Sequence, residues 1–268
     1  MSAFFPEFFI LFAVALVCSS MGFKKYIWFI SIGYGFAVAG IALACFFLFG
    51  AALDAGTAIA LALLVIYGCR LGGYLTYREL KMASYNKNMK GEIKDGKGMS
   101  FFAKAGLWIS CAFLYLCETG PVFYRLKNGI ASTAIVYIGT LIIALGIIIE
   151  SLSDLQKSAA KKENPDRWCD RGLFRVVRCP NYFGEMLIWT GVFVSGVTAL
   201  KTPGQWIISL LGYLGIIYIM FSGARRLEIR QNKRYGSDPE YQKYVKTTPI
   251  MVPLVPIYSV ERHKWLVG

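Results

Sequence analysis

A single histidine, His263, in 268 residues leaves no material for a His-based catalytic triad or a His-rich metal centre. The seven cysteines, Cys18, Cys45, Cys69, Cys111, Cys117, Cys169 and Cys179, include no CxxC pair, so the usual zinc and redox spacings are missing as well. Charge is also scarce. Asp, Glu, Lys and Arg make up 17% of the chain, against about 25% in ordinary soluble domains. In their place stand 56% hydrophobic and 15% aromatic residues, and the mean hydropathy is +0.50. A chain of this composition is expected inside a bilayer.

Apolar stretches near the roughly 20 residues needed to cross a hydrocarbon core run approximately over 4–22, 26–50, 53–76, 105–124, 130–152, 184–200 and 204–223. The expected fold is therefore all-α, an integral membrane bundle of about seven transmembrane helices forming a single membrane domain over 1–268. No basic region or small-residue cleavage site precedes Lys24, so the first span reads as a retained helix. Basic residues set the orientation: 25 of the 29 Lys and Arg fall on one side of such a bundle. The positive-inside rule then places the N-terminus outside and the C-terminus in the cytoplasm. The net charge of +13 belongs to cytoplasmic loops and their membrane lipids, and no nucleic-acid partner is expected. The stretch 77–104, rich in Lys, Asn and Gly, is expected to be partly mobile.

Against this background, polar groups at membrane depth carry the information. Late in the third span, Arg70 has Tyr67 three residues before it and Tyr74 four after, with Tyr77 and Arg78 continuing the stripe; Gly72 and Gly73 permit close helix approach. Closing the fifth span, Glu150 and Asp154 share a helical face that Lys157, Lys161 and Lys162 extend. The third group is the segment Gly172 to Trp189. Arg175 and Arg178 supply forks suited to phosphate, and Asn181 can donate and accept in one plane. Pro180 fits a helix start, which puts Asn181, Tyr182 and Glu185 in its first turns and Glu185 and Trp189 on one face. Each group alone has an ordinary role as aromatic belt, anchor or ion pair. Together, at one boundary, they suit a polyanionic cofactor with sugar and base.

The pattern DxQK at Asp154 to Lys157, followed by RWCDRGLFRVVRCPNYFGE from Arg167 to Glu185, resembles the steroid 5α-reductase family, in particular its uncharacterised bacterial DUF1295-type branch. The similarity is densest over about 150–250, which it marks as the cofactor-binding portion. It implies a seven-helix membrane enzyme that uses NADPH to reduce a carbon–carbon double bond conjugated to a carbonyl. By this resemblance Asn181 holds the nicotinamide carboxamide, and Asp154, Arg167, Arg178, Tyr182, Glu185 and Glu228 line the cofactor site. Arg70, Arg78, Lys157, Arg171 and Tyr244 complete the expected cofactor contacts, with Tyr34 and Trp189 beside the substrate. Tyr67 matches the family's catalytic tyrosine. Hydride addition to an enone leaves negative charge on the carbonyl oxygen, where Tyr67 would donate a hydrogen bond.

Two positions depart from the pattern. Cys179 stands where the branch usually has histidine, and the second span contains no carboxylate. The expected substrate is a hydrophobic lipid or steroid-like molecule entering from the bilayer, with the cofactor on the cytoplasmic side of a bacterial inner membrane or the endoplasmic reticulum. Two other readings fit parts of the chain. Glu240, Tyr241 and Tyr244 in DPEYQKY echo membrane isoprenylcysteine and phospholipid methyltransferases that use S-adenosylmethionine, and the bare second span suits a lipid-binding member without turnover.

Overall fold

A computed structural model describes residues 4–81 and 98–267. The stretch expected to be mobile lies largely outside the described residues. Among the described residues eight α-helices follow in chain order: α1 (Pro6–Ser19), α2 (Ile32–Phe49), α3 (Ala55–Lys81), α4 (Phe101–Lys127), α5 (Ala134–Glu163), α6 (Pro180–Val197), α7 (Pro203–Tyr235) and α8 (Pro239–Thr247). Among the described residues there is no strand. The protein is thus an all-helical membrane bundle.

Among the described residues six helical stretches are long and apolar enough to cross a bilayer: Pro6–Phe23, Tyr26–Ala52, Ala55–Lys81, Phe101–Lys127, Ala134–Glu163 and Pro203–Tyr235. The first two include short 3-10 turns at Ser20–Phe23, Tyr26–Phe29 and Gly50–Ala52. The span expected at 184–200 is present as helix α6, but it is not among the six. Its first turns carry Asn181 and Glu185, which dilute its apolar character.

Local chemistry sets the helix ends. Pro180 and Pro203 open α6 and α7, where a missing N–H costs nothing because the first turn has no intrahelical acceptor. The Ser100 side chain accepts from Ala103 N at 3.2 Å to cap α4. Asp238 caps α8, accepting from Glu240 N at 2.8 Å. Asp54 accepts from Thr57 N at 2.9 Å at the start of α3 and also takes both N–H and O–H of Ser132. Burial pushes its carboxyl pKa up, but these hydrogen bonds outweigh that and hold it below its ordinary value.

By Cα packing the chain divides into two compact units, residues 1–140 with 192–213 and residues 141–191 with 214–268. In the first unit, α2 and α3 touch through backbone. A Cβ added at Gly68 would lie 2.4 Å from the Gly35 carbonyl oxygen and 2.7 Å from Ala39 N, and one at Gly35 would lie 2.6 Å from Gly72 N. Lipid tails are as apolar as leucine, so helices in a bilayer gain little from hydrophobic burial against one another; close backbone packing takes its place. Gly72 serves this contact as expected, whereas Gly73 faces open space. On α4, Gly196 and Gly212 press against Pro121 and the Cys117–Glu118 backbone. Arg125, 1% exposed, is held by carbonyls: Nε donates to Ser195 O at 2.8 Å and Nη1 to Ile130 O and Ala131 O.

In the second unit, α5 and α6 cross at glycine again. A Cβ on Gly146 would sit 2.6 Å from Gly184 O, and one on Gly184 would sit 2.8 Å from Glu150 N. Large apolar side chains such as Phe47 (87% exposed) and Val17 (72%) point outward, as lipid-facing positions do.

The glycine contact makes a paired prediction. Gly68→Ala should destabilise the protein by about 1–3 kcal/mol, the usual effect of overpacking, whereas Gly73→Ala, in open space, should be neutral or stabilising by up to about 1 kcal/mol. Thermal unfolding of both variants in one detergent measures the difference.

Candidate functional site

In the second unit the expected cofactor residues gather around the start of α6. Arg178 and Cys179, just before it, donate their backbone N–H groups to Pro249 O and Ile250 O, both at 2.9 Å. This docks the chain after α8 against the helix start. Below that pairing, the Arg178 and Glu228 side chains, 1% and 0% exposed, form an ion pair at 2.8 Å. Arg178 Nη2 also donates to the Tyr258 carbonyl, and the second Glu228 oxygen accepts from Val260 N at 2.8 Å. Nε and Nη1 of Arg178 are buried without a hydrogen-bond partner. Both partners were expected at the cofactor site; here they meet each other.

Cys179 belongs to an apolar cluster with Ala224, Leu227, Ile250, Met251, Val260 and Leu266. Burial pushes its thiol up to about 11, so it is neutral at physiological pH. The position therefore acts as packing. Tyr182 and Phe183 pack on the same cluster, with the Tyr182 ring in van der Waals reach of Gly223.

Along α6, Glu185 is 5% exposed and accepts the Trp189 indole N–H at 2.9 Å. The shared face read from their spacing is thus a buried hydrogen bond. Trp189, expected beside substrate, is 1% exposed. Half-buried Asn181 has no hydrogen-bonded partner for its amide among the described residues. On α5, Glu150 is 5% exposed beside Gly184, while Asp154 and Lys157, further along the helix, are half-buried.

The other arginines are engaged at the surface. Arg167 lies over the Trp168 ring at 4.5 Å and pairs with Asp170 and Glu240, each at 2.9 Å; Arg171 pairs with Glu163 at 2.5 Å. Such exposed pairs contribute about 0–1 kcal/mol, so an incoming phosphate can exchange for the carboxylates. Tyr244 donates to Phe174 O at 2.7 Å, within a ring cluster of Trp168, Tyr235 and Tyr241. Burial raises the Tyr244 hydroxyl pKa and pushes Tyr241 up to about 12. Gln156, inside the DxQK pattern but without an expected role, accepts from Leu173 N at 2.9 Å and lies against Gly172, whose φ is +56°. It fixes the 3-10 turn Gly172–Arg175 that leads into α6.

In the first unit, Tyr67 is 0% and Tyr34 7% exposed, and their hydroxyls meet at 3.1 Å. Each tyrosine adjoins a contact glycine, Gly68 and Gly35, so the backbone approach brings the hydroxyls together. Tyr115 joins them, its ring centroid 5.0 Å from that of Tyr34 and its hydroxyl donating to Phe29 O at 2.6 Å. One turn further along α4 lies Glu118, 3% exposed. Neither Tyr115 nor Glu118 was among the expected residues, although ionisable Glu118 in the apolar run of α4 was a signal in the sequence. Arg70 and Arg78 both stack on Tyr74, at 5.6 and 5.7 Å.

Apolar spanning helices with ionisable groups buried among them define a multi-pass integral membrane protein. Residues 12–248 match the family described as protein of unknown function (DUF1295), a steroid 5α-reductase-like family, and the chain belongs to it. It is also 27% identical over 154 residues to a very-long-chain enoyl-CoA reductase of Dictyostelium discoideum, across 56% of this chain and 47% of that protein. The chain thus spans about half the length of the curated relative it matches. No solved structure matches.

The buried ion pair yields the site's stability prediction. Glu228→Gln leaves the Arg178 guanidinium buried without its counter-charge and should cost about 3–5 kcal/mol. It should also loosen the cover over Cys179. In the native protein at pH 8 that thiol should resist maleimide, because it is buried and un-ionised; in Glu228→Gln it should label at least about tenfold faster, the ratio set by more frequent local opening. Mass spectrometry of the labelled peptide reads both.

Proposed function

We propose that the chain is a membrane reductase that uses NADPH to reduce a carbon–carbon double bond conjugated to a carbonyl in a hydrophobic, lipid-like substrate. The observation that carries this reading is the match across RWCDRGLFRVVRCPNYFGE, combined with what those residues do here: among the described residues the Asn181 amide has no hydrogen-bonded partner and Arg178 has two buried unpaired donors, and Arg167 and Arg171 have exchangeable partners. These groups fit a dinucleotide. Amide, guanidinium and carboxylate suit the nicotinamide carboxamide, the phosphates and the ribose hydroxyls in turn. The activity for which the relative is named, reduction of an enoyl-CoA, is chemistry of the same type.

In this reading Asn181, Tyr182, Glu185, Asp154, Lys157, Arg167, Arg171, Arg178, Glu228 and Tyr244 hold or support the cofactor, which supplies the hydride. Tyr67 donates a hydrogen bond to the substrate carbonyl, where negative charge develops once the β-carbon is reduced. In the structure the Tyr67 hydroxyl donates to that of Tyr34 at 3.1 Å; with substrate present the pair turns round, Tyr34 donating to Tyr67 and freeing the Tyr67 proton for the carbonyl, an interaction that burial in an apolar surrounding strengthens. Trp189 supports Glu185 through the indole hydrogen bond between them. The residues that echo methyltransferases have structural engagements instead: Glu240 pairs with Arg167, and Tyr241 donates to Asn232 at 2.8 Å.

Thermal unfolding in detergent with NADPH, NADH or S-adenosylmethionine tests the reading. NADPH at about 100 times its Kd should stabilise the protein by about 2.7 kcal/mol. Stabilisation by the methyl donor alone sinks the proposal, and the absence of any shift favours a lipid-binding role. Asn181→Ala should abolish the NADPH shift. Tyr67→Phe should retain it while lowering turnover of an enone or enoyl substrate by about 100-fold or more; full activity of that variant removes Tyr67 from the mechanism.

A further inference from the structure

The segment after α8 has two faces. One is buried: Ile250 (1% exposed), Met251 (0%), Val260 (3%) and Leu266 (2%) complete the cluster around Cys179. The other projects bare apolar groups. Leu254 is 99% exposed, Trp265 65% and Val267 74%. Leu254 also adopts φ +64°, a left-handed conformation unusual for a bulky residue. It tips a tight turn closed by Val255 N to Val252 O at 3.4 Å, with Ile250 N bonded to Ile257 O at 2.8 Å beneath it. A strained turn that presents leucine to water is doubly unfavourable in an aqueous setting.

The anchors of this segment give its direction. Val260 N donates to Glu228; the carbonyls of Glu261 and Leu266 accept from Arg225; Trp265 O accepts from Tyr218 at 2.8 Å, and Val267 N donates back to the Tyr218 hydroxyl at 3.1 Å. The contact points thus run from Glu228 back to Tyr218, about 15 Å along α7 at about 1.5 Å per residue. Tyr218 lies in the apolar stretch of a bilayer-crossing helix, whereas Arg225 and Arg226 mark where that stretch ends. The chain therefore returns towards the bilayer. Between its apolar points it carries Arg262, His263 and Lys264, all exposed.

We propose that residues 252–267 form a membrane-interface anchor, with Trp265 and Val267 in the outer hydrocarbon and Arg262 and Lys264 against anionic lipid headgroups. Tryptophan at the apolar boundary with basic residues beside it is the chemistry of an interfacial contact with such lipids. The lipid surface is favoured over a protein partner because Trp265 and Val267 are held at the level of Tyr218, within the apolar stretch of α7, with basic residues next to them in the chain.

The test uses the full chain in vesicles, subtracting the emission of Trp265→Phe from that of the wild type to isolate Trp265. Phosphatidylglycerol or phosphatidylcholine brominated near the top of the acyl chain serves as quencher, with iodide as the aqueous quencher. The anchor predicts quenching by both brominated lipids and little by iodide, with brominated phosphatidylglycerol at least about twofold more effective at equal mole fraction, given the pull of two basic residues on an anionic surface. In Arg262→Gln with Lys264→Gln that preference should vanish while quenching persists. Efficient iodide quenching without lipid quenching overturns the proposal, and so does equal quenching by the two lipids in the wild-type chain.

Discussion

Backbone contact at glycine is the constraint on which this structure depends. Inside a bilayer, apolar surface gains little by turning from lipid to protein, so helices stay together where they approach closely enough for dispersion and short polar contacts to add up. Gly35 against Gly68 and Gly72 brings α2 and α3 to that distance, and the adjacent tyrosines follow. The hydroxyl contact between these two buried tyrosines is then a product of packing.

Charge is handled differently in the two units. In the first, Arg125 is surrounded by main-chain carbonyls that spread its charge over several dipoles. In the second, Arg178 meets a carboxylate, and the remaining lone pairs of that carboxylate take a backbone N–H. The second arrangement is the more exacting, because removing either member leaves an uncompensated charge. It also ties three parts of the chain, the run into α6, the middle of α7 and the segment beyond α8, into one unit.

Much of this was legible in the sequence. Long apolar stretches announced an all-helical membrane bundle; Pro180 marked the start of α6; the four-residue spacing of Glu185 and Trp189 became a hydrogen bond at 2.9 Å. What periodicity hides is which faces meet. Helices such as α1 and α2 are apolar around their circumference, so no stripe points to a neighbour, and the Gly35 to Gly68 contact had no signature beyond the glycines themselves. The pairing of Arg167 with Glu240 and of Arg171 with Glu163 was hidden for another reason: a list of cations that suit phosphate does not say which carboxylates the fold brings beside them. Tyr115 and Glu118 carry no motif of their own in the sequence; their burial comes from the packing of α4.

Gly184, in the middle of NYFGE, lies between Gly146 and the Glu150 backbone with no room for a methyl group. The gap between two helices bearing carboxylates is therefore gauged by a hydrogen atom. Polar side chains along those helices can be exchanged one at a time, each at a local cost. The gauge cannot be changed without moving all of them, so the spacing of these two helices is set more tightly than the identity of any group along them.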